Sequence, residues 1–206
     1  MSNKSIVCIY TEGETDKIFY DKLLDYIKSK SINKQFIVDE IKKANIAGIG
    51  NFKTKLVNKF NKEININKYK DYQKIVVLCY DEDVFDLVHQ TPPVDRKQLE
   101  KELRDNGANN VIHLVAKKSI EDVFLLDIDN ILKSLCLPKN STKNLSGSGF
   151  QKLKALYKKA NKIYVKGANV EPFVYKLDMG KICNIQCDLY CKLCLVLLGN
   201  IGCNRK

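Results

Sequence analysis

The chain has 206 residues, enough for one domain or for one domain with a helical extension. A hydrophobic share of 45% and a charged share of 29% exclude a disordered chain. The formal net charge of +11 favours phosphate-rich partners, although nearly all of it is Lys, with Arg only at Arg96, Arg104 and Arg205, and a merely solvated Lys-rich surface gives the same balance. The opening MSNKSIVCIY holds no apolar stretch of signal-peptide length, and no run approaches the ~18 apolar residues of a membrane span. The eight Cys are expected to stay reduced, and the expected compartment is the cytoplasm.

Residues 5–10 (SIVCIY) form a short β-rich apolar run, the first strand. A helix follows from Thr15 to Lys28, with Phe19, Leu23 and Ile27 on one face. Residues 35–42 read as a second strand entered through Phe36, Ile37 and Val38, and AGIGN at 47–51 as a Gly-containing loop. Phe52, Leu56 and Phe60 then recur at i, i+4, i+8 and predict a second helix. KIVVLCY at 74–80 is the clearest strand, its continuous apolar run implying burial on both faces. Leu99 and Leu103 mark a third helix that stops near Gly107, VIHLVA at 111–116 a fourth strand, and Val123, Phe124, Ile128 and Ile131 the inner face of a fourth helix starting near Ile120. Strand–helix alternation of this kind predicts an α/β fold, a four-stranded parallel sheet flanked by helices and joined by right-handed crossovers. It covers residues 1–135. The Ser/Gly/Asn-rich stretch 138–149 reads as a mobile loop, and 150–206 as a helical C-terminal extension with a helix over 184–198.

Acid sits where two strands stop. The first segment is Tyr10-Thr11-Glu12-Gly13-Glu14-Thr15-Asp16, and the second is Cys79-Tyr80-Asp81-Glu82-Asp83. Ligands of open α/β sheets bind beyond the carboxyl ends of strands, where strand order reverses. With the order 2-1-3-4, Glu12 faces Asp81 and Asp83 there. Two carboxylates ~4 Å apart repel by ~4 kcal/mol at an effective dielectric near 20, and a hard divalent cation with oxygen ligands relieves this. Plainer readings stand beside these. Thr11-x-x-Glu14 matches a capping box, Asp16 suits the helix macrodipole, and Asp81-Glu82-Asp83 alone also reads as a solvated loop.

Together, Glu12-Gly13 and Asp81-Glu82-Asp83 resemble the signature of the TOPRIM family, the domain shared by type IA topoisomerases, bacterial primases and OLD-family nucleases. The extended form from Glu12 to Asp16 looks most like the OLD-type branch. AGIGNF at 47–52 is similar to that branch's Gly-rich segment, and Lys118-Ser119-Ile120-Glu121-Asp122 to its later acidic motif. The resemblance covers roughly residues 5–130. It implies a TOPRIM-like (Rossmann-like) fold and Mg²⁺- or Mn²⁺-dependent hydrolysis of nucleic-acid phosphodiesters, DNA before RNA. Glu12, Asp16, Asp81, Asp83 and Glu121 become the expected metal ligands, with Glu12 as general base or as the group that positions water through the metal. Ser119-x-x-Asp122 is equally a capping box that would leave Glu121 in a first helical turn. OLD-type sites also recruit a Lys after the acidic motifs. Lys166, after the apolar run Ile163-Tyr164-Val165, matches it, while Lys117 and Lys118 end the fourth strand.

The chain departs from the larger members of the family it resembles in that no Walker A sequence, zinc ribbon or catalytic-Tyr domain is recognisable in it. A stand-alone TOPRIM protein is the expectation, similar in scale to small phage-defence proteins, acting alone, as a homo-oligomer or with a protein partner. A non-catalytic module binding nucleic acid or a partner, and primase-like nucleotidyl transfer, remain the competing classes. Ser146-Gly147-Ser148-Gly149 reads as a linker rather than a phosphate loop, His89 as a loop residue and His113 as structural. Cys183, Cys187, Cys191 and Cys194 read as a helical packing stripe. A straight helix rises about 16 Å over that spacing and cannot wrap four sulfurs around one zinc.

Overall fold

The computed structural model describes residues 4–31, 33–48, 50–82, 95–168 and 170–199. Asp83, His89, Pro92 and Pro93 lie outside them. Strands β1 (Ser5–Thr11), β2 (Glu40–Asn45), β3 (Gln73–Asp81) and β4 (Asn110–Ala116) form one open, all-parallel sheet in the order β2-β1-β3-β4. The two central strands are the two apolar runs, as burial on both faces requires. Thr11 pairs with Cys79, so β3 continues beyond the end of β1 and carries Asp81 to the sheet's carboxyl edge.

Side chains alternate between the two faces along each strand. Val7, Ile9, Val77, Cys79, Ile112 and Leu114 belong to one core. Ile6, Cys8, Tyr10, Val76, Leu78 and Tyr80 belong to the other. Helices α2 (Gly50–Thr54), α3 (Leu56–Glu63) and α4 (Arg96–Asp105) cover the second face with Phe52, Leu56, Phe60, Leu99 and Leu103. Helix α1 (Glu14–Ser29) covers the first with Phe19, Leu23 and Ile27. The result is an α/β fold of the Rossmann-like kind.

The first face is larger than α1 can close. Helices α5 (Ile120–Phe124), α6 (Ile128–Ser134), α7 (Gly149–Lys159), α8 (Glu171–Val174), α9 (Met179–Ile185) and α10 (Cys187–Leu198) complete it. Leu153, Tyr157, Phe173, Ile182, Tyr190 and Leu193 share one cluster with Val7 and Val77 of the sheet. Residues 138–149 contain a 3₁₀ turn at Lys139–Thr142, whose region is tied to α7 by Lys159 Nζ on the Ser141 and Lys143 carbonyls. Ser148 then opens α7 through a reciprocal capping box with Gln151.

Several elements differ from their sequence outlines. The second strand begins at Glu40, not 35. Phe36 and Val38 instead pack on the first-face core, and Ile37 N–H donates to the Leu197 carbonyl of α10 (2.9 Å). Docking on the C-terminal helix therefore takes the apolar residues that resemble a strand, and the edge strand itself reads EIKKAN. The fourth helix breaks after Phe124 into a 3₁₀ turn, Leu125–Asp127. Buried Asp127 fixes that turn, accepting from Asn130 Nδ2 (2.7 Å), Asp178 N–H (2.7 Å) and Lys181 Nζ (3.2 Å). The expected helix over 184–198 is two helices that meet at Gln186. Cys183 is thus in α9 and the other three Cys in α10. Cys183, Cys191 and Cys194 are buried, and the sulfurs of Cys187 and Cys191 lie 2.9 Å apart.

A shared core has a testable consequence. Leu193 is fully buried in the C-terminal segment yet belongs to the sheet's cluster. Leu193→Ala should destabilise the whole chain by about 2–5 kcal/mol, in one urea transition seen alike by far-UV circular dichroism and tyrosine fluorescence. Two separated transitions would show that the segment after 149 unfolds on its own.

Candidate functional site

The site begins where β1 stops. Glu12 N–H still donates to the Cys79 carbonyl of β3 (3.0 Å), and the Glu12 carboxylate accepts from Asp81 N–H (3.3 Å). Gly13 is the extended residue before α1. A Cβ there would come within 3.2 Å of Asp16 Oδ2, so glycine permits the close turn. The loop after β2 closes against the same point, with Gly48 N–H on the Glu12 carbonyl (2.8 Å) and Gly48 at φ +109°.

Asp16, Asp81 and Glu121 are at most 2% exposed. Each is aimed by a different element. Asp16 stands in the first turn of α1. Asp81 ends β3, and its Oδ1 accepts from Ile120 N–H at the start of α5 (2.7 Å). Glu121 occupies the first turn of α5, with Oε1 accepting from the Tyr164 hydroxyl (3.1 Å). Lys166 enters from the segment between α7 and α8. Its Nζ lies 3.1 Å from Asp81 Oδ2 and 3.8 Å from Glu121 Oε2. Gly167 N–H donates to Thr15 Oγ1 (2.7 Å) and pins that segment to α1. Four of the expected site acids, Glu12, Asp16, Asp81 and Glu121, and the expected Lys166 thus come together. Asp83 lies outside the described residues.

The charges are strongly coupled. Burial, then the Asp81 and Glu12 carboxylates, push the Asp16 carboxyl well above its ordinary range. Burial lifts Asp81 to about 7, Lys166 opposing and Glu12 and Glu121 adding to the rise. Burial alone would lower the Lys166 ammonium, but Asp81, Glu121 and Asp16 outweigh it and raise it. The cluster brings the carboxyl groups of Glu12, Asp16, Asp81 and Glu121 to one ammonium. Its donors are all carboxylate oxygens, the set a hard divalent ion takes. Glu121 Oε2 is buried with no hydrogen-bond partner among the described residues, an atom suited to a cation. Among those same residues no group of three or more His, Cys, Asp or Glu forms a ready metal cluster.

Two capping readings resolve differently. Thr11-x-x-Glu14 is not a capping box. Gly13 is the cap position, the Thr11 hydroxyl donates to the Gly13 carbonyl, and Glu14 pairs with Lys17 (3.0 Å) and Asn45. Ser119 does cap α5, accepting from Asp122 N–H and donating to Asp122 Oδ2 (2.9 Å). That cap leaves Glu121 turned inward. Gly149 packs so tightly on Asp122 that an added Cβ would meet its backbone nitrogen at 2.5 Å, so the Gly-Ser stretch is a packed helix start. His113 Nδ1 meets the Tyr80 hydroxyl at 2.8 Å, a structural contact. Lys117 and Lys118 are exposed. Thr15 and Tyr164 were not legible as site residues. Alternation in Tyr164-x-Lys166 was the only signal for the second, and Ile163-Tyr164-Val165 is no strand, only an isolated bridge of Val165 with Ala168.

No protein-family model, curated protein or solved structure matches the chain.

The raised acids set a sign for pH dependence. A carboxyl with a folded value near 7 and an ordinary value of 3.8 binds its proton more tightly in the folded state. Its contribution is therefore fully present below about pH 4 and is lost as pH rises through 7. Asp81→Asn removes this loss and relieves Asp16. In chelator, the stability of Asp81→Asn relative to wild type should increase from pH 5 to pH 8, measured by urea midpoints. A constant difference across that range would mean that Asp81 is not titrating there.

Proposed function

We propose that the chain is a Mg²⁺-dependent nuclease with a TOPRIM-type acidic site, stand-alone in form and closest in pattern to the OLD-type branch, with DNA as its expected substrate. The observation that carries this reading is the meeting of Glu12 and Asp81 at the ends of adjacent parallel strands, with Glu121 and Lys166 converging on the same point. The basic charge of +11 supports a polyanionic substrate. Asp16, Asp81 and Glu121, with Glu12 and Asp83, are the side chains that would hold the ion. Bound there, Mg²⁺ supplies Lewis-acid polarisation of the scissile phosphodiester and a more acidic water. Glu12 is the half-buried acid of the group and the one suited to accept that water's proton. Lys166, about half exposed, can turn its ammonium from Asp81 towards the phosphate and offset the charge that develops in hydrolysis. Ile120 N–H and the Tyr164 hydroxyl keep Asp81 and Glu121 oriented. The ammonium lodged between two acids also fits a second reading, a non-catalytic module that keeps the fold and binds nucleic acid or a partner.

Cleavage of plasmid and single-stranded DNA, assayed with Mg²⁺, Mn²⁺ and chelator, separates the two. Glu12→Gln and Asp81→Asn should lose at least ~10²-fold in rate, the scale of a removed acid–base group. Wild type should gain about 2.7 kcal/mol at a hundredfold metal excess over its dissociation constant, and Asp81→Asn less. Lys166→Met should keep the metal-induced gain and lose cleavage. Salt-sensitive DNA binding with no cleavage in any metal would sink the nuclease and leave the binding module. Template-directed extension with added nucleotides would replace it by nucleotidyl transfer.

A further inference from the structure

Beside the acidic site lies a cavity of about 470 Å³ that the hydrolytic reading does not use. Its walls include Leu135, Tyr157, Ile163 and Phe173, and its charged groups are Lys162 and Lys176. The described lining carries two ammonium groups and no carboxylate. Both lysines are exposed, and neither is held in an ion pair among the described residues. Ile163 is 79% exposed at the rim, an apolar side chain left in water. The Ser134 hydroxyl, which donates to the Ile131 carbonyl, keeps its lone pairs for a ligand donor. Aromatic and aliphatic walls, the hydroxyl-bearing Ser134 and Tyr157 and a purely cationic charge are complementary to a base with phosphates beside it.

Its place in the chain ties the cavity to the acids. Lys162 and Ile163 line it, and Lys166 three residues further on reaches Asp81. Three residues span at most ~10 Å. Between them Tyr164 is a partition. Its hydroxyl bonds Glu121, while its ring packs on Tyr157 at 5.2 Å and on Phe173 at 6.4 Å, both rings of the cavity lining. A ligand seated there lies within one or two nucleotides of the acidic cluster.

The geometry points to this cavity as the binding site for one unpaired base of a single-stranded nucleic acid, with its flanking phosphates held by Lys162 and Lys176. The proposal rests on the nuclease reading for the meaning of the neighbouring acids, and it narrows the substrate. A base stacked within a duplex cannot enter such a cavity without leaving its partner. Single strands, or strands frayed at an end, are therefore the substrate class.

A single-stranded oligothymidylate carrying 4-thiothymidine tests this with the full-length chain in chelator, where nothing is cut. Photo-cross-links should map to residues 157–176. The single strand should bind at least tenfold more tightly than a duplex of equal length. The double variant Lys162→Ala/Lys176→Ala alters two exposed side chains, so it should fold as wild type does. It should lose the cross-link and lower the salt slope of binding by about 1.4, two phosphate contacts at ~0.7 each. Asp81→Asn should keep the cross-link. Cross-links elsewhere, or an unchanged salt slope, with Mg²⁺-dependent cleavage intact would overturn the cavity and leave the acidic site standing. Cross-links at 157–176 in a protein that cuts nothing would uphold the cavity and sink the nuclease.

Discussion

Taking a carboxylate out of water costs several kcal/mol unless hydrogen bonds and opposite charge replace the lost solvent, and Asp81 is 1% exposed. Its replacement partners come from the start of α5, through Ile120 N–H, and from Lys166. Its own N–H meets the Glu12 carboxylate. One buried residue thus fixes the relative positions of the β1 end, the β3 end, the α5 start and the segment after α7. Asp16 and Glu121, equally buried, bring two more carboxyl groups to the same point. The fold keeps an arrangement that is electrostatically costly, a feature shared by functional sites and structural ion-pair networks.

That arrangement needs the C-terminal segment. Lys166 reaches Asp81 from the segment that follows α7. Gly167 holds this segment to Thr15 at its near end. At its far end, Lys22 of α1 donates to the carbonyls of Val174, Tyr175 and Leu177. Val174 ends a four-residue helix, where its carbonyl also accepts from Leu177 N–H (3.1 Å), and Lys22 supplies a further donor to the carbonyls of this helix end. Phe173, between the two anchors, packs on Phe124 and Tyr164. The extension is in this sense part of the site.

The sheet was legible because its central strands are unbroken apolar runs, and the acids because they stop those runs. The parallel direction of the strands followed from their alternation with helices, whereas the order β2-β1-β3-β4 does not follow from alternation alone. What failed was local. Phe36, Ile37 and Val38 carry a strand's composition, but the C-terminal helix, distant in sequence, claims them. The Thr11–Glu14 spacing fits a capping box, yet the sharp turn at Gly13 moves the cap position and frees Glu14 for Asn45. Lys166 was legible among many lysines only through the apolar residues before it. The reason proved different from a strand: Tyr164 is buried against Glu121 and thereby fixes the backbone from which Lys166 extends. Tyr164 and Thr15 were hidden because their roles depend on partners more than forty residues away.

Charge is distributed in layers around this point. The acids are inside, and Lys166 alone among the lysines of the described chain lies within 4 Å of Asp81 and Glu121. The excess of positive charge lies outside, in exposed lysines such as Lys117, Lys118, Lys162 and Lys176. An acidic cluster open to solvent would repel a phosphate backbone. Burial limits that field in two ways. It holds Asp16 and Asp81 towards their neutral forms, and it leaves the lysines as the first charges an approaching strand meets. Repulsion between the acids and a phosphate then matters only at close range, where a bound cation or Lys166 can offset it. The same burial that makes the cluster costly to the fold therefore makes it compatible with a polyanionic ligand.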